Sequence, residues 1–167
     1  MKALVTAASR HGSTREIAQW IAEALAEQGI DAVVRDPREV TDLTDYEVVI
    51  AGSAIYVGQW LGDARDFVER FATELQARKV WLFSSGLADA PAKDANGTPS
   101  LKSRMESTQA VAHRHFPGKL DVLQLSLAER AAIMAARGKY GDSRDAQSVK
   151  DWARGIGEIL NAATASA

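Results

Sequence analysis

The sequence predicts an α/β fold: a doubly wound, five-stranded parallel sheet of order 2-1-3-4-5, with an extra helix before the last one. Three observations predict it. Apolar runs alternate with amphipathic stretches along the chain. The runs are apolar at consecutive positions, as strands covered on both faces require. The 167 residues hold no internal repeat and no low-complexity linker, so a single domain over 1–167 is expected.

Residues 2–8 (KALVTAA) form the first strand. A helix follows over 14–28, with Ile17, Trp20, Ile21, Ala24 and Leu25 at helical spacing. Ser13 and Glu16 have the spacing of a capping box, and Gly29 ends the helix. Strands are expected at 31–36 and 46–53. A helix over 61–77 points Ala64, Phe67, Val68, Phe71 and Leu75 inward. The fourth strand is 79–85. A weaker helix pattern covers 100–114, after Pro99, and KLDVLQL at 119–125 reads as the fifth strand. Residues 126–138 form the extra helix, where Ser126 and Glu129 repeat the capping-box spacing and Gly138 can end it. The last helix covers 146–163, with Val149, Trp152, Ala153, Ile156 and Leu160 on one face.

Composition narrows the function. Apolar residues make up 46% and charged residues 25%, which is ordinary for a soluble domain. The net charge of −2 gives no basic surface for nucleic acid. There is no cysteine, which excludes disulfides, thiolate metal sites and cysteine nucleophiles. His113 and His115, two apart near the expected end of a helix, would not face each other there, so no metal site is expected. No apolar stretch has the length of a membrane span, and the first residues lack a signal-peptide layout, so a cytoplasmic protein is expected.

In such a sheet ligands bind beyond the carboxyl ends of the strands, where the strand order switches. Three loops meet that position. The first is Ser9-Arg10-His11-Gly12-Ser13-Thr14, three hydroxyls and a glycine leading into a helix. Its backbone N–H groups and the helix dipole suit a phosphate; Arg10 and Arg15 either add positive charge to that site or are ordinary surface residues. The competing reading is a plain helix cap. The chain has neither GxxxxGK[ST] nor GxGxxG, so triphosphate and dinucleotide sites are not expected. The second loop, Ala54-Ile55-Tyr56-Val57-Gly58, offers a close backbone approach at Gly58 and stacking by Tyr56 or Trp60. Either aromatic can equally be a packing residue. The third, Ser84-Ser85-Gly86-Leu87, offers small residues and backbone groups. Asp142, Arg144 and Asp145 read as a solvated or ion-paired loop.

SRHGSTREIA resembles the phosphate loop of flavodoxins, which run Ser/Thr-x-Thr-Gly-x-Thr into their first helix. Ser9, Gly12 and Thr14 match, and His11 replaces a hydroxyl residue. The wording Ser-Arg-x-Gly-x-Thr-Arg-Glu-Ile-Ala is similar to one branch, the menaquinone-dependent (oxygen-independent) protoporphyrinogen oxidases. Their second loop, Gly-Ala-Ser-Ile-Arg-Tyr-Gly, aligns with Gly52 to Gly58. Similarity continues at Phe67-Val68 and Phe71-Ala72-Thr73, and returns at Glu129-Arg130, Ile133-Met134 and Trp152.

The resemblance implies a flavodoxin-like fold and FMN, with its phosphate at residues 9–14 and its ring between the second and third loops. It implies two-electron chemistry from protoporphyrinogen to a quinone, with a small molecule or a protein as redox partner. It nominates no catalytic side chain. Two departures bear on substrate. Tyr56-Val57 stands where the branch has Arg-Tyr, and the extra segment is small and aliphatic rather than aromatic and basic. The extra helix therefore either docks a quinone or weakly contacts a membrane surface, or packs on the sheet edge. The alternatives to an oxidoreductase are a flavodoxin-type electron carrier and a flavin-free binding module. The small net charge and the extra helix favour the enzyme over the carrier.

Overall fold

The computed structural model describes residues 1–56, 58–86, 98–135 and 141–166. Strand β1 (Lys2–Ala8) leads through a short loop to helix α1 (Ser13–Glu27), then β2 (Asp31–Arg35) and β3 (Val48–Tyr56). A two-residue strand β4 (Gln59–Trp60) precedes α2 (Gly62–Arg70) and α3 (Ala72–Gln76), which lead to β5 (Lys79–Gly86). The chain continues through α4 (Pro99–Thr108), β6 (Ala112–Pro117), β7 (Lys119–Leu120) and a 3-10 turn (Val122–Gln124). It ends with α5 (Leu127–Ala135), β8 (Gly141–Asp142) and α6 (Ala146–Ala165).

Five parallel strands lie in the order β2-β1-β3-β5-β6. With β4 set aside as a hairpin on β3, this is the expected order of a doubly wound sheet. Side chains alternate between two cores, because successive strand residues point to opposite faces. Val5, Ile50 and Phe83 pack with Ile17 and Ile21 of α1 and Ile156 of α6. Leu4, Val49 and Leu82 pack with Phe67 of α2 and Leu75 of α3, joined by Met105 of α4. Each fully buried Leu, Ile or Phe contributes about 1.5–3 kcal/mol. Gly52 is dictated by its neighbour: a Cβ there would lie 2.3 Å from the Phe83 ring.

Five expectations change. The fifth strand is 112–117, not 119–125; of that run only Lys119–Leu120 is extended, and it pairs antiparallel with β8 outside the main sheet. The helix expected to reach 114 ends at Thr108. Gln109 then takes a left-handed conformation (φ 52) as its C-cap, which turns the chain into β6. Phe116 fixes β6 on the sheet: its ring lies 5.4 Å from Trp152 of α6 and 6.3 Å from Phe83. The helix over 61–77 is divided at Phe71, and β3 runs three residues past 53 into the second loop. Finally, Ser13 does not cap α1; Gly12 is the N-cap, with φ 87 and no capping side chain. The extra helix is present as α5, and its expected last residues, 136–138, lie outside the described ones.

Candidate functional site

The first loop sits at the carboxyl end of β1, where the sheet order switches between β1 and β3. Gly12 is exposed, and its left-handed backbone swings the chain into α1. The Thr14 N–H donates to Ser9 Oγ at 3.2 Å, and the Glu16 N–H donates to the Gly12 carbonyl at 3.1 Å. Thr14 is buried. The Ser13 hydroxyl is buried with no hydrogen-bond partner. A buried hydroxyl without a partner costs about 1–3 kcal/mol. Here it sits in the first turn of a helix whose N-cap glycine has no side chain, where the dipole favours negative charge. Such a turn has the donors and the field to hold a phosphate.

The two arginines of this stretch point to different partners. Arg15 pairs with Asp36 at 2.9 Å, beyond the end of β2. Arg38 is the chief reason that the Asp36 carboxyl falls to about 2, through its side-chain hydrogen bonds. Arg10 turns toward the second loop. Its guanidinium lies over the Tyr56 ring, 4.5 Å from the centroid, and donates to Glu129 of α5 at 3.1 Å. His11 Nε2 lies 3.2 Å from the same oxygen. The Glu129 carboxyl is held down to about 2, chiefly by its hydrogen bonds with Ser126 and further by His11 and Tyr56. The Tyr56 phenol is pushed up by burial first and by the Glu129 carboxylate second.

The second loop is a tight hairpin, with Tyr56 paired to Gln59 and Ile55 to Trp60. Gly58 has φ 72. Val57 lies outside the described residues. Ala54, Ile55 and Tyr56 are part-buried at the end of β3, while Trp60 is 5% exposed and belongs to the core. Ser53 closes the loop: its hydroxyl donates to the Ala54 carbonyl at 2.8 Å and accepts from the Leu61 N–H at 2.9 Å.

Below the third loop runs a buried polar thread. Trp60 Nε1–H donates to Ser84 Oγ at 2.8 Å, and Ser84 Oγ shares a hydrogen bond of 2.7 Å with His113 Nε2. Burial pushes His113 down to about 4, so it is neutral at physiological pH. His115 is also lowered by burial. On a strand these two histidines share a face, which corrects the helical placement. Arg104 of α4 lies over the Trp60 ring at 4.2 Å. Ser85 is buried, and the Gly86 carbonyl accepts from the Gly118 N–H at 2.5 Å. Leu87 lies outside the described residues.

Three residues matter more here than sequence reasoning foresees. Glu129 shows as half of a capping box and as one position of the family resemblance, with no sign of its tie to the first loop. His113 is set aside as a helix-end residue, although the alternation His-x-His before Phe116 is the signal of a strand. Arg144 is expected in a solvated or ion-paired loop; it is ion-paired, and its side chain is only 7% exposed. It pairs with Glu16, and with Asp142 at 2.8 Å; it donates to the Ser13 carbonyl at 3.3 Å and covers the Trp20 ring.

A loop leading into a helix N-terminus at the switch point of a 2-1-3 parallel sheet defines a class of α/β ligand-binding domains. This chain belongs to the flavodoxin-domain family, whose profile matches residues 4–147. It is 31% identical over 105 residues to protoporphyrinogen IX dehydrogenase [quinone] of Escherichia coli strain K12. That match covers 62% of this chain and 57% of the relative's length. Among solved structures it is similar to rubredoxin:oxygen oxidoreductase of Desulfovibrio gigas (TM-score 0.67, 15% identity, 96% of this chain and 36% of that one). It is also similar to an archaeal flavodoxin (TM-score 0.57, 19% identity, 82% of this chain and 97% of that one). Among the described residues no helix is long and apolar enough to cross a membrane.

Proposed function

We propose that this chain is an FMN-dependent oxidoreductase. The observation that carries the reading is the α1 N-terminus, where the N-cap Gly12 has no side chain and the Ser13 hydroxyl is buried without a partner, in the stretch that resembles the flavodoxin phosphate loop. Ser9, Arg10, His11, Gly12, Ser13 and Thr14 would hold the phosphate. Ala54 to Gly58 and Ser84 to Leu87 would flank the ring. The flavin supplies the two-electron chemistry when bound.

The residues around it bind, orient and exclude water. Gly12 lets the backbone approach the anion, and Ser13 provides a donor whose own need is otherwise unmet. Tyr56 presents an aromatic surface braced by Arg10. The Trp60–Ser84–His113 thread holds the floor of the third loop rigid and uncharged above about pH 4.

For donor and acceptor we extend to this chain the pair in the E. coli relative's name, a porphyrinogen and a quinone. Exposed Leu123, Leu127 and Met134 on and beside α5 support a weak contact with a membrane surface, where a quinone would be met.

The first test is the visible spectrum of the purified chain, before and after adding FMN and removing the excess. Retained flavin absorption is the expected result; a colourless chain that cannot retain FMN overturns the reading. With the flavin bound, anaerobic addition of porphyrinogen should bleach it, and a soluble quinone should restore it.

A further inference from the structure

Glu129 joins three parts of the molecule. It arrives on α5, an element the sheet does not require. One carboxylate oxygen accepts from the Ser126 N–H at 2.7 Å, while the Glu129 N–H donates to Ser126 Oγ at 3.2 Å. This is the reciprocal capping box that the sequence spacing announces. The other oxygen is not needed for the cap. It accepts from Arg10 and lies against His11, both in the first loop. The Glu129 side chain is 11% exposed, while Arg10 reaches it from the solvent side. Arg10 carries the link onward to the Tyr56 ring in the second loop. The rest of α5 is lightly seated: Ile133 is buried, and Leu127 and Met134 face solvent.

We propose that Glu129 is a positioning residue of the flavin site. One oxygen locks the first turn of α5, and the other sets Arg10 and His11, and through Arg10 the Tyr56 ring. The extra helix thereby fixes how the first and second loops close on the cofactor. The proposal rests on the flavin reading given above and adds a role for a residue that need not touch the flavin.

The test uses the full chain and FMN itself. Glu129→Gln keeps an acceptor for the cap and removes the charge that holds Arg10. It should bind FMN about fivefold more weakly, the upper end for a solvent-exposed ion pair. At saturation the bound flavin should emit more strongly, because an unbraced tyrosine ring quenches it less. Arg10→Met breaks the same tie from its exposed end and also removes a cation from the phosphate side, so it should raise emission alike and weaken FMN at least as much. The double variant should be no weaker than Arg10→Met alone, because the Glu129 charge acts through Arg10. Ser126→Ala, which damages only the cap, should leave affinity and emission at wild-type levels. Wild-type affinity and emission in Glu129→Gln overturn the proposal alone, as does a Ser126→Ala variant that reproduces Glu129→Gln. A wild-type chain that retains no FMN overturns the flavin reading and the proposal with it.

Discussion

Helices α1 and α6 lie side by side on one face of the sheet, yet their N-termini are built in opposite ways. At α6 the Asp145 carboxylate accepts from the Gln147 and Ser148 N–H groups at 3.0 and 3.2 Å. That helix start is complete in itself. At α1 the cap is Gly12, which has no side chain, and the nearby Ser13 hydroxyl is left without a partner. The first arrangement spends the dipole on stability; the second keeps it for an anion. Arg144 bridges the two, anchored on Asp142 before α6 and reaching Ser13 and Glu16 of α1.

Breaking the bridge should have the largest effect. Arg144→Ala removes a buried cation with several charged hydrogen bonds and should cost about 2–3 kcal/mol of stability by denaturant unfolding. A loss under about 0.5 kcal/mol would mean that the two helix starts are independent. The next test lies on the open side. Ser9→Ala with Thr14→Ala should weaken FMN by about 1–3 kcal/mol, the scale of lost hydrogen bonds to a charged group. Unchanged affinity by fluorescence titration would remove this loop from the site.

A matched pair then sharpens the contrast. Gly12→Ala forces a side chain into the left-handed region, at about 1–2 kcal/mol, and should lower flavin affinity as well. Asp145→Ala should cost about 1 kcal/mol of stability and leave flavin affinity alone. Equal effects of the two on FMN would erase the distinction. The smallest effect is in acid. Hydrogen bonding by Arg144 lowers the Asp142 carboxyl to about 2, so its contribution is present above the ordinary value near 3.8 and lost as pH falls toward 2. Between those values wild type should lose melting temperature more steeply than Asp142→Asn. Parallel curves would show that the pair is fully screened by solvent.

Much of the fold was legible in the sequence. β1, β3 and β5 are buried on both faces, so each reads as a short apolar run. β6 was not, because its run is AHRHFP: one face carries two histidines under α4, and only Phe116 shows the other. The helix before it ends on Gln109 rather than a glycine, so no breaker marks the boundary. KLDVLQL imitates a strand by composition, yet the sheet's edge is already taken by β6. At the site, the hydroxyls and Gly12 of the first loop show locally in the sequence. The tie from Glu129 does not, since its partners lie 118 and 119 residues away.

The β7–β8 clasp has one more consequence. Lys119 pairs with Asp142 and Leu120 with Gly141, so the chain leaves the domain and re-enters it at neighbouring points. Whatever lies between is a closed excursion, whose length can double for only about 0.6 kcal/mol of closure entropy. The register of the main sheet does not depend on it. The fold thus leaves the outer surface of α5 free to vary, provided that Glu129 keeps its place against Arg10 and His11.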